Sequence, residues 1–165
     1  MITRYIKGDI CDTELKYIAH GVNTQNKMGS GVAKALYEKF PEVKERYHSY
    51  MDWIIERGDE PLGKVASVWS KGKQVYNCFT QKDYGYDGKK YVNYSAIVKC
   101  FDSLVQVKHR FDGPIAIPKI GCGLAGGDWN IIEQLINDTV GDDLEIWVYE
   151  LEDSQKRDGR NGDLG

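Results

Sequence analysis

Four glycines stand within seven residues of this chain, in a segment whose composition suits the binding of an anion. They are Gly121, Gly123, Gly126 and Gly127. The run Ile115–Ile117 before them has the apolar character of a buried strand, and Asp128 after them can cap the start of a helix. Glycine permits positive φ angles and a close approach of ligand to backbone, and a helix start directs N–H groups toward an anion. The segment therefore predicts a phosphate-type loop, with a tight turn that binds nothing as the alternative.

A second loop of the same kind follows another strand-like run. Tyr17–Val22 is β-prone and closes on Asn23, and a polar stretch then ends with Gly29, Ser30 and Gly31. Apolar residues at helical spacing begin at Val32, so Ser30 is also a candidate helix cap. Two loops that each follow a strand and precede a helix, placed opposite each other, fit a diphosphate.

The elements around these loops predict an α/β fold with a mostly parallel central sheet and helices on both faces. Strands are predicted at Thr3–Ile6, Tyr17–Val22, Lys64–Trp69, Gln74–Phe79, Ile115–Ile117 and Glu145–Tyr149. Helices are predicted from Val32, from Pro41, from Ile97 as far as Lys108, and from Trp129. Lys71 and Gly72 predict a turn that makes the third and fourth strands a hairpin. In such sheets ligands bind at the carboxyl ends of the strands, where both glycine loops belong.

Length and composition limit the classes of partner. The 165 residues, 41% of them hydrophobic, suit one globular domain at residues 1–151, and we expect residues 152–165 to form a disordered polar tail. A net charge of −3 gives no support for a nucleic-acid partner, and no apolar run reaches membrane-spanning length. The four cysteines stand far apart in the sequence, which indicates reduced thiols in the cytoplasm. The histidines are equally scattered, so the sequence gives no support for a metal site. We expect no cofactor and a monomer.

One rival interpretation starts from the same glycines. Gly121, Gly123 and Gly126 match G-x-G-x-x-G, the fingerprint of dinucleotide-binding Rossmann folds, and Glu150 ends the next strand, where a ribose-binding acid would stand. This pattern favours an oxidoreductase that uses NAD. Only one helix, one strand and a polar segment follow the loop, however, so the remaining strands of such a half-domain are missing.

Three motifs stand in order along the chain and fit one family. They are Lys7–Ile10, then His20–Asn23 with Met28–Ala33, then Pro118–Leu124 continuing to Trp129. Together they resemble the macro domain, a three-layer α/β/α module that binds ADP-ribose, over about residues 1–151. The resemblance is to the subclass that holds the terminal ADP-ribose protein glycohydrolase, the yeast ADP-ribose 1''-phosphate phosphatase and the antitoxin partners of DNA ADP-ribosyltransferases. It implies ADP-ribose or a 1''-derivative as the ligand.

The resemblance also implies which residues contact that ligand. Asp9 would hold the adenine amine with the Ile10 backbone beside it, and Asn23 would lie near the distal ribose. Phe79 and Thr80 would pack against a sugar or the base. Backbone N–H groups would wrap the diphosphate and distal ribose from Gly29, Ser30, Gly31, Val32, Gly121, Cys122, Gly123, Leu124 and Ala125.

Two positions depart from the glycohydrolase pattern. Gln81 aligns with the lysine that those enzymes use, although Lys82 is one residue away, and Ala125 aligns with their aspartate. An amide cannot form a Schiff base and a methyl group cannot act as an acid or base, so a lysine-adduct mechanism loses its support. The candidate catalytic groups that remain are Asn23, Lys82, Asp128 and His20.

Each of these candidates has a structural interpretation beside the catalytic one. His20 can be a core histidine, Asp128 a helix cap, and Lys82 a solvated side chain. Cys122 is a candidate nucleophile close to a helix start, with a packed thiol as the alternative.

The sequence thus predicts hydrolysis of an ADP-ribose derivative at the distal ribose, with ADP-ribose 1''-phosphate giving ADP-ribose and phosphate. A reader that binds ADP-ribose without catalysis is the first alternative. A hydrolase that removes ADP-ribose from a modified target, or the acetyl group from O-acetyl-ADP-ribose, is the second, and the NAD oxidoreductase is the third.

Overall fold

A six-stranded sheet forms the centre of the computed structural model, which describes residues 1–29, 31–83 and 90–152. The strands are β1 (Ile2–Lys7), β2 (Tyr17–Asn23), β3 (Val65–Ser70), β4 (Lys73–Gln81), β5 (Ile115–Ile117) and β6 (Ile146–Glu150). Their order across the sheet is β1-β6-β5-β2-β4-β3. Only the β3–β4 pair is antiparallel, so the predicted hairpin and the mostly parallel sheet are both confirmed.

Four helices cover the sheet in the described part of the chain. They are α1 (Gly31–Lys39), α2 (Glu42–Glu56), α3 (Tyr94–Gln106) and α4 (Trp129–Val140). Three single 3₁₀ turns lie at Ile10–Asp12, Lys108–Arg110 and Gly123–Ala125. None of the four helices has the length and apolar composition needed to cross a membrane.

Helices pack on both faces of the sheet because its strands are apolar on both sides. Along β2, Ile18 and Val22 point to the core beneath α1 and α2, while Tyr17 and Ala19 point to the core beneath α3 and α4. Alternation of this kind follows from the two-residue period of a strand. The expected three layers are thereby confirmed.

Most element boundaries differ from the sequence prediction by one to three residues, among them the ends of β4 and α3. Strand β4 continues to Gln81 rather than ending at Phe79, because Gln81 bridges to Val92 and its carbonyl accepts from the Thr24 amide at 3.1 Å. Helix α3 ends at Gln106, and Lys108 begins a separate 3₁₀ turn. The predicted tail from residue 153 onward lies outside the described residues.

Candidate functional site

The carboxyl ends of the five parallel strands meet at one edge of the sheet, and hydrogen bonds join the segments that follow them. The Thr24 amide donates to the Gln81 carbonyl at 3.1 Å, and the Thr24 hydroxyl donates to the Lys82 carbonyl at 3.1 Å. The amides of Tyr91 and Val92 both donate to the Ala125 carbonyl, at 2.7 and 3.1 Å. The loop after β2, the end of β4 and the glycine loop after β5 therefore form one surface.

The glycine loop after β5 closes on itself around a 3₁₀ turn. The Gly127 amide donates to the Gly121 carbonyl at 2.6 Å, and the Gly126 amide donates to the Gly123 carbonyl at 3.1 Å. Gly121, Gly123 and Gly126 all have positive φ, at 82°, 65° and 75°. The Gly123 and Leu124 amides open the turn and have no acceptor within it, which leaves them available to an anion.

Two of the four glycines are required by packing rather than by a ligand. A Cβ on Gly121 would lie 2.7 Å from Val92 Cγ2 and 2.9 Å from Ile132 Cδ1. A Cβ on Gly127 would lie 2.5 Å from the Gly121 carbonyl oxygen. Of the four glycines, only the exposed pair Gly123 and Gly126 therefore still supports a ligand at this loop.

Asp128 and Cys122 flank this loop and take part in its structure. Asp128 Oδ1 accepts from the Asn130 amide at 2.9 Å and so caps α4, and the Asp128 amide donates to the Tyr94 hydroxyl at 3.1 Å. The Cys122 amide donates to the Lys119 carbonyl at 3.1 Å, and its partly exposed side chain packs against the core under α3 and α4. The contacts favour a cap and a packed thiol at these two positions.

Ala125 faces inward. Its side chain has no solvent exposure and belongs to the core under α3 and α4, while its carbonyl is taken by the two amides of residues 91 and 92. The 3₁₀ turn directs this methyl group toward the core, so a ligand contact through the Ala125 side chain is not available in this structure. The side chain of Leu124 lies outside the described part of the chain.

Phe79 and Thr80 lie inside β4 and are fully buried, so the proposed packing of their side chains against a sugar or base needs correction. Phe79 stacks on Tyr47 and Tyr50 of α2, with ring centroids 5.7 and 5.4 Å away. Thr80 Oγ1 is buried and has no hydrogen-bond partner among the described residues. The exposed surface at this strand end begins instead with Lys82.

Gln81 and Lys82 differ sharply in exposure. Gln81 is 6% exposed, and its Nε2 donates to the Asp83 carbonyl at 2.7 Å. Lys82 is exposed, and its carbonyl accepts from the Gln25 side chain at 2.9 Å as well as from Thr24. Lys82 therefore contributes an exposed cation beside the loop after β2.

The glycines at the end of the loop after β2 can present backbone to a ligand because they carry no side chain. Gly31 has a positive φ of 63° where α1 begins, and the Val32 side chain is fully buried, so these residues offer their amides. Gly29 is exposed, and a Cβ placed on it would meet no atom within 4 Å, which is the open space that a ligand needs. Ser30 lies outside the described residues.

Asn23 ends β2 and organises this loop through its own amide. Its Oδ1 accepts from the Gln25 amide at 2.9 Å, and its Nδ2 donates to the Lys27 carbonyl at 2.8 Å. The side chain is only partly buried, at the predicted end of the strand. These bonds fix the direction of the amide and the shape of the loop at once.

Asp9 and Ile10 follow β1 at the same edge of the sheet. Asp9 Oδ1 accepts from the Cys11 amide at 2.9 Å and so caps the 3₁₀ turn at Ile10–Asp12. Asp9 is partly exposed. Ile10 is 2% exposed, so only its backbone lies near the surface. This arrangement is compatible with the adenine contact that the family resemblance implies.

Glu150 lies between two lysines, a cluster that the sequence alone did not indicate. Its carboxylate oxygens lie 2.8 Å from Lys119 Nζ and 2.6 Å from Lys7 Nζ. Hydrogen bonds from Lys119 and then Lys7 lower the pKa of Glu150 to about 2. A carboxylate engaged by two lysines is a poor free acceptor for a ribose hydroxyl, which weakens the Rossmann interpretation of Glu150.

His20 lies in the core and not at the surface of the site. It has no solvent exposure, and its Nε2 lies 2.5 Å from Asn77 Oδ1 on the neighbouring strand β4. Burial lowers the pKa of His20 from 6.5 to about 4, so the ring is neutral near pH 7. A buried neutral imidazole does not contact a ligand at the strand ends, and the structure favours the core interpretation.

We expect His20 to make stability depend on pH. Between pH 6.5 and about 4 the unfolded chain binds a proton at this ring that the folded chain does not. Stability is therefore full above pH 6.5 and falls as the pH decreases toward 4, by about 3 kcal/mol in total. Urea unfolding of wild type and of His20→Gln at about pH 7.5 and about pH 5 measures this.

The wild type is expected to lose more stability across that interval than His20→Gln does, since the glutamine amide keeps a donor for Asn77 without titrating. His109→Gln, at an exposed histidine, is the matched control and should follow the wild type. Parallel losses in wild type and His20→Gln would contradict the assignment of a buried neutral ring.

No cluster of three or more metal-ligating side chains occurs among residues 1–29, 31–83 and 90–152. What the strand ends offer is backbone N–H donors from two loops, an exposed lysine, and partly exposed carboxylate and amide groups. Such a surface suits an anionic, polar ligand of nucleotide size.

Comparison with known proteins gives a family and named relatives. A family model described as Macro domain matches residues 19–136. A 17.5 kDa protein from the tk-vs intergenic region of Enterobacteria phage T4 is 35% identical over 92% of this chain and 98% of its own length. A DNA ADP-ribosyl glycohydrolase of Thermus aquaticus is 26% identical over 93% of this chain, which spans 42% of that protein. An ADP-ribose 1''-phosphate phosphatase of Lodderomyces elongisporus is 22% identical over 91% of this chain and 100% of its own length.

Solved structures agree with the fold. A macrodomain protein from Streptomyces coelicolor superposes with a TM-score of 0.74 at 27% identity, covering 91% of this chain and 99% of that one. The DarTG protein of Thermosipho africanus, solved in complex with ADP-ribose, gives a TM-score of 0.71 at 18% identity and covers 93% of this chain and 42% of that one.

Proposed function

This chain belongs to the macro domain family, and on that premise we propose that it binds ADP-ribose at the carboxyl ends of its strands and hydrolyses a 1''-derivative, with ADP-ribose 1''-phosphate as the substrate. It is related to ADP-ribose glycohydrolases and to the ADP-ribose 1''-phosphate phosphatase. Those names describe the relatives, and the residues at this chain's own site favour one of their chemistries.

Binding is supported by the two loops that offer backbone amides at one edge. The Gly123 and Leu124 amides open a 3₁₀ turn, and the loop after β2 leaves open space beside Gly29. The diphosphate is the part of ADP-ribose that collects the most N–H donors, so it should supply most of the affinity.

One observation supports phosphate release over cleavage through a lysine adduct. It is the structure at the two positions, 81 and 125, where this chain differs from the glycohydrolase pattern. Gln81 is an amide bonded to the Asp83 carbonyl, and Ala125 is a buried methyl group. Neither can form the adduct or transfer a proton. Hydrolysis of a phosphate monoester depends chiefly on a held substrate, neutralised charge and an aligned water, and the exposed Lys82 would supply the positive charge that meets the phosphate.

A reader that does not catalyse is favoured by a different observation. Three of the four candidate groups are engaged in the structure: His20 is buried against Asn77, Asp128 caps α4, and the Asn23 amide bonds its own loop. Only Lys82 remains, and a lone cation can serve binding as well as turnover. Measured turnover decides between the two functions.

We expect ADP-ribose to bind at least about tenfold more tightly than AMP or adenosine in calorimetric titrations, because these ligands offer fewer phosphate oxygens to the backbone donors. NAD should bind no better than ADP-ribose. Incubation with ADP-ribose 1''-phosphate should then release phosphate slowly. Equal affinity for adenosine and ADP-ribose contradicts the proposed anion cradle, and a preference for NAD favours the Rossmann alternative.

A further inference from the structure

The hydroxyl of Tyr47, on α2, reaches both ends of the segment that follows β2. It donates to Asn23, whose carbonyl oxygen lies 2.8 Å away and whose Oδ1 lies 2.9 Å away. It accepts from the Lys27 amide at 3.0 Å. One hydroxyl thus joins the end of strand β2 to a residue four positions further along the loop.

The side chain of Asn23 completes the same network. Its Nδ2 donates to the Lys27 carbonyl at 2.8 Å, and its Oδ1 accepts from the Gln25 amide at 2.9 Å. Lys27 is therefore held through both its amide and its carbonyl, by Tyr47 and Asn23 respectively. A network in which each member fixes the next leaves the loop with few alternative conformations.

The Tyr47 hydroxyl is itself held by the rigid part of the fold. The residue has no solvent exposure, and its ring stacks on Phe79 of β4 at 5.7 Å with 16° between the planes. Burial raises the pKa of Tyr47, so the hydroxyl keeps its proton. Packing between α2 and β4 therefore fixes the Tyr47 hydroxyl, which is both a donor and an acceptor for the loop. The residues at the centre of that loop, 25–27, are themselves exposed.

The next residue of α2 contacts the loop as well. His48 Nδ1 lies 2.6 Å from Asn26 Oδ1, and Asn26 has a positive φ of 60°. Two successive residues of one helix thus hold three positions of the segment 23–27. A plain connection between a strand and a helix does not need support of this density.

We propose that Tyr47 is a positioning residue, whose hydroxyl holds the segment 23–27 in the form that presents the loop to the diphosphate and distal ribose. The identity of that ligand rests on the proposed function, while the hold on the loop does not. Without the hydroxyl, the hydrogen bond from the Lys27 amide to Tyr47 is lost and the loop samples other conformations. Affinity then falls in proportion to the fraction of molecules that remain competent to bind.

Tyr47→Phe and Tyr50→Phe form a matched pair for the test. Both residues lie on α2 and stack on Phe79, but none of the hydrogen bonds to the loop comes from Tyr50 among the described residues. We expect Tyr47→Phe to weaken ADP-ribose binding by about tenfold, the scale of one or two lost hydrogen bonds, and Tyr50→Phe to bind as the wild type does. Amide exchange at Gln25 and Lys27 should be faster in Tyr47→Phe alone.

A thermal unfolding midpoint lowered in Tyr47→Phe, with affinity and amide exchange unchanged, would make the residue merely structural and overturn the proposal. The double variant Tyr47→Phe/Asn23→Ala should bind no more weakly than Asn23→Ala, because both residues act through one network. Additive losses in the double variant would also overturn it. If the wild type binds no ADP-ribose, the proposed function fails, and the exchange rates still decide whether Tyr47 holds the loop.

Discussion

Gly123→Val is expected to abolish ADP-ribose binding while the fold persists. Gly123 is exposed, has a φ of 65°, and opens the 3₁₀ turn whose first two amides have no acceptor within the turn. A β-branched residue disfavours this backbone conformation, so the turn must shift and its amides lose their alignment. Losing two hydrogen bonds to a charged phosphate weakens affinity by more than about a hundredfold. Calorimetric titration with ADP-ribose measures the loss, and circular dichroism tests the fold.

Gly72→Val is the matched control for backbone strain. Gly72 also has a positive φ, of 84°, and a Cβ on it would meet nothing within 4 Å. It lies in the β3–β4 turn, at the end of β4 opposite the candidate site. This variant should lose some stability and bind ADP-ribose like the wild type. Native circular dichroism with unchanged affinity in Gly123→Val would mean that the glycine loop is a plain turn.

Asn23→Ala is expected to reduce phosphate release from ADP-ribose 1''-phosphate by about a hundredfold, the scale of losing one oriented polar group in an active site. The structure adds a reason, since the Asn23 amide bonds Gln25, Lys27 and Tyr47 and so shapes the whole loop. ADP-ribose affinity should fall as well, but by less than the rate. Initial rates of phosphate release and calorimetric titration give the two numbers separately, and Lys82→Ala should have a smaller effect on both.

Gln25→Ala supplies the control within the same loop, because Gln25 is exposed and its side chain makes a single hydrogen bond to the residues that the structure describes, which is the one to the Lys82 carbonyl. Its rate should stay close to that of the wild type. Wild type that releases no more phosphate than Gly123→Val would exclude the enzyme and leave the reader. Cleavage of ADP-ribose from a modified glutamate would mean that the alignment of Gln81 with the family lysine is wrong, and Lys82 would be the first residue to test.

Local patterns in the sequence determined most of the fold. The apolar run Ile115–Ile117 forms β5 at its predicted bounds, and Asp128 begins α4 as a cap while Gly141 ends it. These features depend on neighbours in sequence: runs of apolar residues, capping oxygens and glycines that permit positive φ. The order of two strand–glycine loop–helix units then sufficed to place both loops at the carboxyl edge.

Only the tertiary structure decided what individual residues of the site do. Gly121 is required by Val92 and Ile132, and the Ala125 methyl group turns into the core. His20 pairs with Asn77, and Tyr47 reaches Asn23 from another element. Each of these contacts joins segments that lie far apart in the chain. They follow from the strand order and from the way the helices pack, which no local pattern of residues specifies.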